Sequence, residues 1–314
     1  MKVSVSITAY DHEPYIAQAI EGALAQETDF DFEVVVGDDC STDGTREVIL
    51  DLARRHPGRI RTIFPDKNYG DGGKRVFLET IRACRGRYIA TMDGDDYWTS
   101  PRKLQLQVDL LESHPDCSMC FHDVLKVYDD GSRPPSRYNG PASKRLWTLD
   151  DTLERCFVAA CSPLFRREVL DGLPPWYLDL PFGDWPLYVL AARQGPIAYL
   201  DEVMGVYRVH AGGMWSRLTS IARLEGMLDF YRRLDAALGF QHSARLRRVA
   251  AKYERDLAFL YEAADELEKA RAAALRALRS STVETVRESW RGLARLAVKP
   301  WTRRARALWR RVAG

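Results

Sequence analysis

The stretch Ile89-Ala-Thr-Met-Asp-Gly-Asp-Asp-Tyr-Trp98 joins a short apolar run to three carboxylates, Asp93, Asp95 and Asp96, around Gly94. The apolar part reads as the end of a buried strand and the acidic part as the turn beyond it. Carboxylates this dense repel one another unless a cation sits among them. Asp oxygens suit Mg²⁺ or Mn²⁺, and a metal held by few carboxylates takes its remaining ligands from water or phosphate. The stretch therefore points to a phosphorylated substrate.

Working outward, residues 3–9, 32–37, 60–64 and 87–92 read as strands, and 14–25, 45–55 and 73–84 carry helical period. This alternation predicts an α/β, Rossmann-like domain with a mixed, mainly parallel sheet. Its ligand site should lie beyond the carboxyl ends of the strands, where the polar clusters 8–12, 38–45 and 93–96 coincide. Further on, 101–111 reads as helix, 117–127 as strand and 129–143 as a Pro/Gly/Asp-rich loop. Residues 158–166 read as strand and turn, 186–192 as helix and 197–209 as strand. From about Ser216 the chain is almost all helix-forming, which divides it into a catalytic domain, 1–215, and a helical extension, 216–314. Residues 257–278 resemble one helical hairpin of the tetratricopeptide kind.

Composition narrows the classes. The 314 residues are 46% apolar and 29% charged, ordinary for a globular chain. A formal net charge of +2 argues against a nucleic-acid binder. No apolar run approaches the roughly 18 residues of a transmembrane helix, and the amino terminus reads as a strand rather than a signal peptide. Cysteines at 40, 84, 117, 120, 156 and 161 form no disulfide framework, so a reduced cytoplasm is the expected location. After the first strand comes Ala9-Tyr-Asp-His-Glu-Pro14, with no Gly-x-Gly-x-x-Gly or phosphate-binding P-loop. A carboxylate at the end of the second strand can accept hydrogen bonds from a base N–H or ribose hydroxyls, which suits Asp39. Asp43 suits a cap for the helix beginning near Thr45.

Five segments occur in a specific order: Ser4-Val-Ser-Ile-Thr-Ala-Tyr10, Val36-Gly-Asp-Asp-Cys-Ser-Thr-Asp-Gly-Thr45, Gly86-Arg-Tyr-Ile-Ala-Thr-Met-Asp-Gly-Asp-Asp-Tyr-Trp98, Gly183-Asp184 and Tyr207-Arg-Val-His210. On these the chain resembles an inverting glycosyltransferase of family 2, with the GT-A fold, over roughly residues 1–215. The resemblance implies a nucleoside diphosphate sugar donor, commonly a UDP-sugar, with Mn²⁺ or Mg²⁺. It places Ala9 in the first nucleotide-binding turn, Tyr10 against the base and Asp39 on a uracil-type ring. Asp93-Gly94-Asp95 becomes the Asp-x-Asp motif, with Asp93 facing the ribose and the metal's water shell and Asp95 ligating the metal. Asp96 would orient the donor sugar or hold the loop. Lys74 or Arg75, after Gly72-Gly73, would reach the donor or stand as a surface charge.

Inversion requires an acceptor hydroxyl to attack the anomeric carbon opposite the leaving diphosphate, with a carboxylate taking the proton. Asp184, in Pro181-Phe-Gly-Asp-Trp-Pro186, is the candidate base, with Asp179 a rival. The family usually shows Glu-Asp here, and Gly183 replaces the first carboxylate. Asp184 also suits capping of a helix that starts at Trp185-Pro186. One of Trp185, Trp176 and Tyr177 is expected to stack on a sugar. His210 is expected to ligate the metal with Asp95 and Asp93, or to bond the diphosphate, with Arg208 assigned to the other side of its strand. His122-Asp123 is expected to line the sugar or acceptor pocket. Cys117-Ser-Met-Cys120 has metal-like spacing but lies in apolar strand material and is not read as a zinc site.

Residues 287–314 hold nine Lys or Arg against one acid, interleaved with Trp290, Trp301 and Trp309 and with Leu293, Leu296, Val298 and Leu308. Such a segment suits an anionic membrane surface, with packing on the protein or partner docking as rivals. The expected partners are thus a nucleotide-sugar donor, a saccharide, lipid-linked or small-molecule acceptor, and a membrane face, with a homodimer permitted by the helical end. Two rival functions stand beside the transferase: a sugar-phosphate nucleotidyltransferase, which normally carries a Gly-rich basic loop after its first strand, and an inactive sugar-binding scaffold.

Overall fold

Val34-Val-Val36 lies fully buried in the middle of β2 (Phe32–Asp38), with Val34 and Val36 in one apolar core and Val35 in another. A strand buried on both faces belongs inside an α/β sandwich, and each such side chain contributes about 1.5–3 kcal/mol by leaving water. The computed structural model describes residues 1–140, 144–280, 292, 293 and 296. The chain divides into two compact units, Met1–Gly213 and Met214–Gly314.

In the first unit β1 (Val3–Ala9) pairs in parallel with β2 on one side and with β4 (Tyr88–Asp93) on the other, and β3 (Ile60–Ile63) extends the sheet beyond β2. The connections are α1 (Ile16–Leu24), α2 (Thr45–Arg55) and α3 (Lys74–Ala83). Helix α1 buries Ile16, Ala19, Ile20 and Ala23, the stripe its helical period predicts. Because β2 and β4 flank β1, the sheet changes direction of growth between β1 and β4, and a crevice opens beyond their carboxyl ends.

The remaining elements are β5 (Tyr97–Trp98), α4 (Lys103–Ser113), β6 (Met119–Tyr128), β7 (Ser136–Arg137), β8 (Leu146–Trp147), α5 (Leu149–Glu154), β9 (Leu164–Arg166), α6 (Arg167–Leu170), a 3₁₀ turn (Pro175–Asp179), α7 (Asp184–Gln194) and β10 (Ile197–Val209). The sheet runs β3-β2-β1-β4-β9-β6-β10-β5, with β7 on β6 and β8 on β10. β6 and β10 are parallel, while β9 runs antiparallel to both β4 and β6.

Two local expectations shift. Of residues 158–166 only β9 is strand, because side chains satisfy the backbone before it: Trp98 Nε1 donates to the Cys161 carbonyl and Gln107 Nε2 to that of Ser162. Helix α7 begins at Asp184, not at Pro186, so Asp184 is its first residue and Gly183 its N-cap.

The second unit contains α8 (Ser220–Ala237), α9 (Ser243–Ala263) and α10 (Leu267–Ser280). Thr219 caps α8 by accepting from the Ala222 amide. Asp265, at φ 59°, turns the chain between α9 and α10, which makes the expected hairpin. Leu293 and Leu296 are buried with Leu257, Tyr261 and the alanine face of α10. Those two leucines of the basic segment are therefore unavailable to a membrane, and the rest of 287–314 lies outside the described residues, Gly292 apart. Among the described residues no helix is long and apolar enough to cross a membrane.

Candidate active site

The floor of the crevice is the carboxyl edge of β1, β2 and β4. Ala9 ends β1 buried, and its carbonyl accepts the Asp39 amide at 2.9 Å. The loops after β1 and β2 are bonded to each other. Asp11 Oδ1 accepts from the Thr42 amide at 2.7 Å, Thr45 Oγ1 from the His12 amide at 2.8 Å, and Asp43 Oδ2 from the Glu13 amide at 3.0 Å. Asp43 also accepts the Thr45 amide at the start of α2. Tyr10, the next residue after Ala9, is 39% exposed.

The two carboxylates of the β2 end divide their work. Asp38 is fully buried and bonds the Ser41 hydroxyl and Arg46 Nε, so it is part of the scaffold. Asp39 receives the Tyr69 amide at 3.2 Å. Burial raises its carboxyl against that bond, and the neighbouring Asp71, Asp38 and Glu79 add to the rise.

The Asp93–Asp96 turn is set against α1 with no room to spare. A Cβ on Gly94 would stand 2.9 Å from Ile16 Cδ1, 3.0 Å from His12 Nδ1 and 3.1 Å from Ala9 Cβ. Asp93 accepts from Thr8 Oγ1 at 3.2 Å and presents its surface to the opening, although protein atoms crowd its flanks. That recess, with the charges of Asp95 and Asp184, raises its carboxyl to about 7. Asp95 Oδ2 lies 3.0 Å from His210 Nε2 and 3.7 Å from His12 Nε2. Burial opposes its charge, yet the His210 bond and the two imidazoles hold its carboxyl below the ordinary range. His12 is lowered chiefly by burial, against the attraction of Asp95.

Several expectations are corrected here. Of the two roles expected for Asp96, orienting the donor sugar or holding the loop, its contacts suit the second: it is 1% exposed and its Oδ1 accepts the Arg208 amide at 2.9 Å. Arg208 does not turn away from His210, because residues two apart on a strand share a face. Its guanidinium donates to the Asp95 carbonyl at 2.5 Å and to Gln18, between the rings of Tyr15 and Tyr97. Trp185 is core rather than sugar platform: it is 6% exposed and its Nε1 donates to the Thr152 carbonyl at 2.7 Å. His122 is fully buried behind the site, with Nδ1 2.8 Å from the Asp123 carbonyl, and burial pushes its imidazole down to about 3. Lys74, expected to reach the donor or stand as a surface charge, is buried and donates to the Leu178 and Leu180 carbonyls at 2.7 and 2.6 Å, fixing the segment that leads to Asp184. Tyr177 is buried, whereas Trp176 stays half-buried.

Asp184 Oδ1 accepts the Trp185 amide at 2.8 Å, and its charge bears on Asp93, so the start of α7 faces the acidic turn. Burial raises the Asp184 carboxyl. Sequence reading missed His12 and Arg208 as individuals. His12 was legible only as a member of the 8–12 cluster, and Arg208 by its period of two with His210.

A parallel β1–β4 half-sheet, a mixed second half and an acidic turn at the β4 end define a GT-A glycosyltransferase. The glycosyl transferase family 2 profile matches residues 4–173, and the chain belongs to that family. It is 37% identical over 267 residues, 79% of this chain and 75% of the relative, to uncharacterized protein Rv1520 of Mycobacterium tuberculosis. It is 33% identical over 221 residues, covering 68% of this chain and 79% of the relative, to the Escherichia coli enzyme WfaP, a UDP-Glc:alpha-D-GlcNAc-diphosphoundecaprenol beta-1,3-glucosyltransferase. In fold it is similar to Staphylococcus aureus TarS 1-349 in complex with UDP-GlcNAc, with a TM-score of 0.67 at 18% identity over 99% of this chain and 92% of that one. The chain is a glycosyltransferase that draws on a nucleotide-sugar donor.

Proposed function

We propose that the chain is an inverting, metal-assisted transferase that moves a sugar from a UDP-sugar to a hydroxyl of a saccharide or lipid-linked acceptor. The observation that carries this reading is the convergence of Asp93, Asp95, His210 and Asp184 at the crevice between β1 and β4. The acceptor class follows the E. coli relative, whose named acceptor is a diphosphoundecaprenol-linked sugar. On this reading the enzyme works at the cytoplasmic face of a membrane, with the basic residues of 287–314 as its contact.

The donor set fits a divalent cation in part. Carboxylate oxygen and imidazole nitrogen together suit Mn²⁺. Among the described residues no group of three or more His, Cys, Asp or Glu forms a ready metal cage. A cation held by Asp95 and His210 would therefore take its other ligands from the diphosphate and water. When bound it would neutralise the charge that grows on the leaving diphosphate.

The protein's own part follows from placement. Asp39 offers an acceptor to the base N–H and Tyr10 a ring face. Asp93 faces the ribose. Asp184 receives the proton of the acceptor hydroxyl as that oxygen attacks the anomeric carbon, and the C–O bond to the diphosphate breaks on the opposite face.

Thermal unfolding with nucleoside diphosphates, each with and without Mn²⁺, tests the reading, since a ligand of the folded state raises Tm. UDP with Mn²⁺ is expected to raise Tm, and Asp95→Ala to abolish that rise. A nucleotide shift indifferent to both metal and Asp95 would overturn the metal-assisted mechanism.

A further inference from the structure

Behind the acidic turn lies a buried polar cluster that the transfer chemistry leaves unexplained. Lys103 and Gln107 sit one turn apart on α4, both fully buried. Lys103 Nζ is 3.7 Å from the centre of the Trp98 ring, and burial presses its ammonium down to about 7. Lys103 Nζ, Gln107 Oε1, His122 Nε2 and Asp96 Oδ2 are all buried without a hydrogen-bond partner. Trp98 ties Lys103 to Cys161, since its indole lies against Lys103 Nζ and donates to the Cys161 carbonyl at 2.7 Å. Lys103 opposes a charge on His122, and both Lys103 and Asp96 act on the Cys161 thiol. That thiol donates to the Val206 carbonyl at 3.7 Å, two residues before the Arg208 amide that Asp96 holds.

A buried amine without partners is costly, and clustered buried polar atoms are satisfied in folded proteins by ordered water. An apolar residue at 103 would be the cheaper filling, unless the amine acts on something. Asp96 shares the Cys161 thiol with that amine, and its Oδ1 holds the Arg208 amide of β10 two residues before His210. We propose that Lys103 is a positioning residue for sugar transfer: through Cys161 and internal water its amine holds the Asp96 carboxylate, which pins the turn carrying Asp95 to the strand carrying His210. In either protonation state the amine donates hydrogen bonds. The catalytic consequence rests on the donor-site reading above; the effect on the turn does not.

The test compares wild type, Lys103→Met, Asp96→Asn and the double variant by amide hydrogen exchange at Arg208 and by nucleoside diphosphate affinity. Lys103→Met is expected to hold or raise Tm while speeding Arg208 exchange and weakening UDP binding, each by about 10-fold. If Lys103 works through Asp96, adding Lys103→Met to Asp96→Asn changes neither quantity further. Unchanged exchange in Lys103→Met, or effects that add in the double variant, would overturn the proposal. If wild type binds no nucleoside diphosphate, the donor reading fails and Arg208 exchange alone decides the role of Lys103. Should Lys103→Met not fold, a high-resolution crystal structure of wild type decides it: water bridging Lys103 Nζ toward Asp96 Oδ2 supports the proposal, and a dry gap refutes it.

Discussion

On the proposed mechanism Asp184 trades stability for reactivity. It is the first residue of α7, bonded to the Trp185 amide, and its carboxyl is raised above 3.8 by burial. A carboxyl with a folded-state pKa above its unfolded value binds its proton more tightly when folded. Stability is then lost as pH climbs from 3.8 through the raised value. Asp184→Asn keeps the shape and removes the buried charge, so Tm at pH 7 should rise. Transfer should fall by about 10²–10⁴-fold, because no group accepts the acceptor's proton. Calorimetry and donor turnover on one preparation check both, and a fully active Asn variant would remove Asp184 as the base. Residue types and spacing were enough to nominate Asp39, Asp93, Asp95, Asp184 and His210 as candidates. They were not enough to separate Trp176 from Trp185, because an aromatic side chain suits a core and a sugar platform equally, and only the Thr152 carbonyl shows where the indole of Trp185 points.

The elements that carry these residues are held by close contact. The turn after β4 depends on Gly94, since a Cβ there would crowd Ile16 of α1 at 2.9 Å and Ala9 of β1 at 3.1 Å. Gly94→Ala is expected to destabilise the fold by about 1–3 kcal/mol, since strand and helix must part to admit one methyl. It should also weaken nucleotide binding more than a surface substitution of equal destabilisation; an Ala variant with wild-type Tm would show that the turn yields freely. Strands β1, β2 and β4 and helices α1–α3 were legible from apolar period, because both faces of that half-sheet are covered. Helix α5 was not, although Thr148 and Asp151 form a reciprocal capping box, because only six residues follow the cap. The true start of α7 was hidden for another reason: Pro186 reads as the first residue of a helix, yet it is the third.

At the scale of the molecule, Asp39, Asp93, Asp95, Asp184 and His210 all lie within Met1–Gly213, which has its own cores. A chain ending at Gly213 is expected to unfold cooperatively and to keep nucleotide binding, while losing any affinity for anionic liposomes. Loss of nucleotide binding would assign part of the donor site to the helical unit, and retained liposome binding would rule out 287–314 as the membrane contact. The sequence by itself determined the α/β class, the order of the acidic motifs, the family and the edge of the sheet where they gather, because strand and helix periods and strand-end positions are local properties. Only the tertiary structure decided which carboxylate faces the crevice and which holds the scaffold, that His12 and His210 flank Asp95, and that Lys103 lies buried behind it. His210 meets Asp95 across 115 residues of chain, and no local period specifies such a meeting; it is set by how β10 and β4 are placed when the cores close.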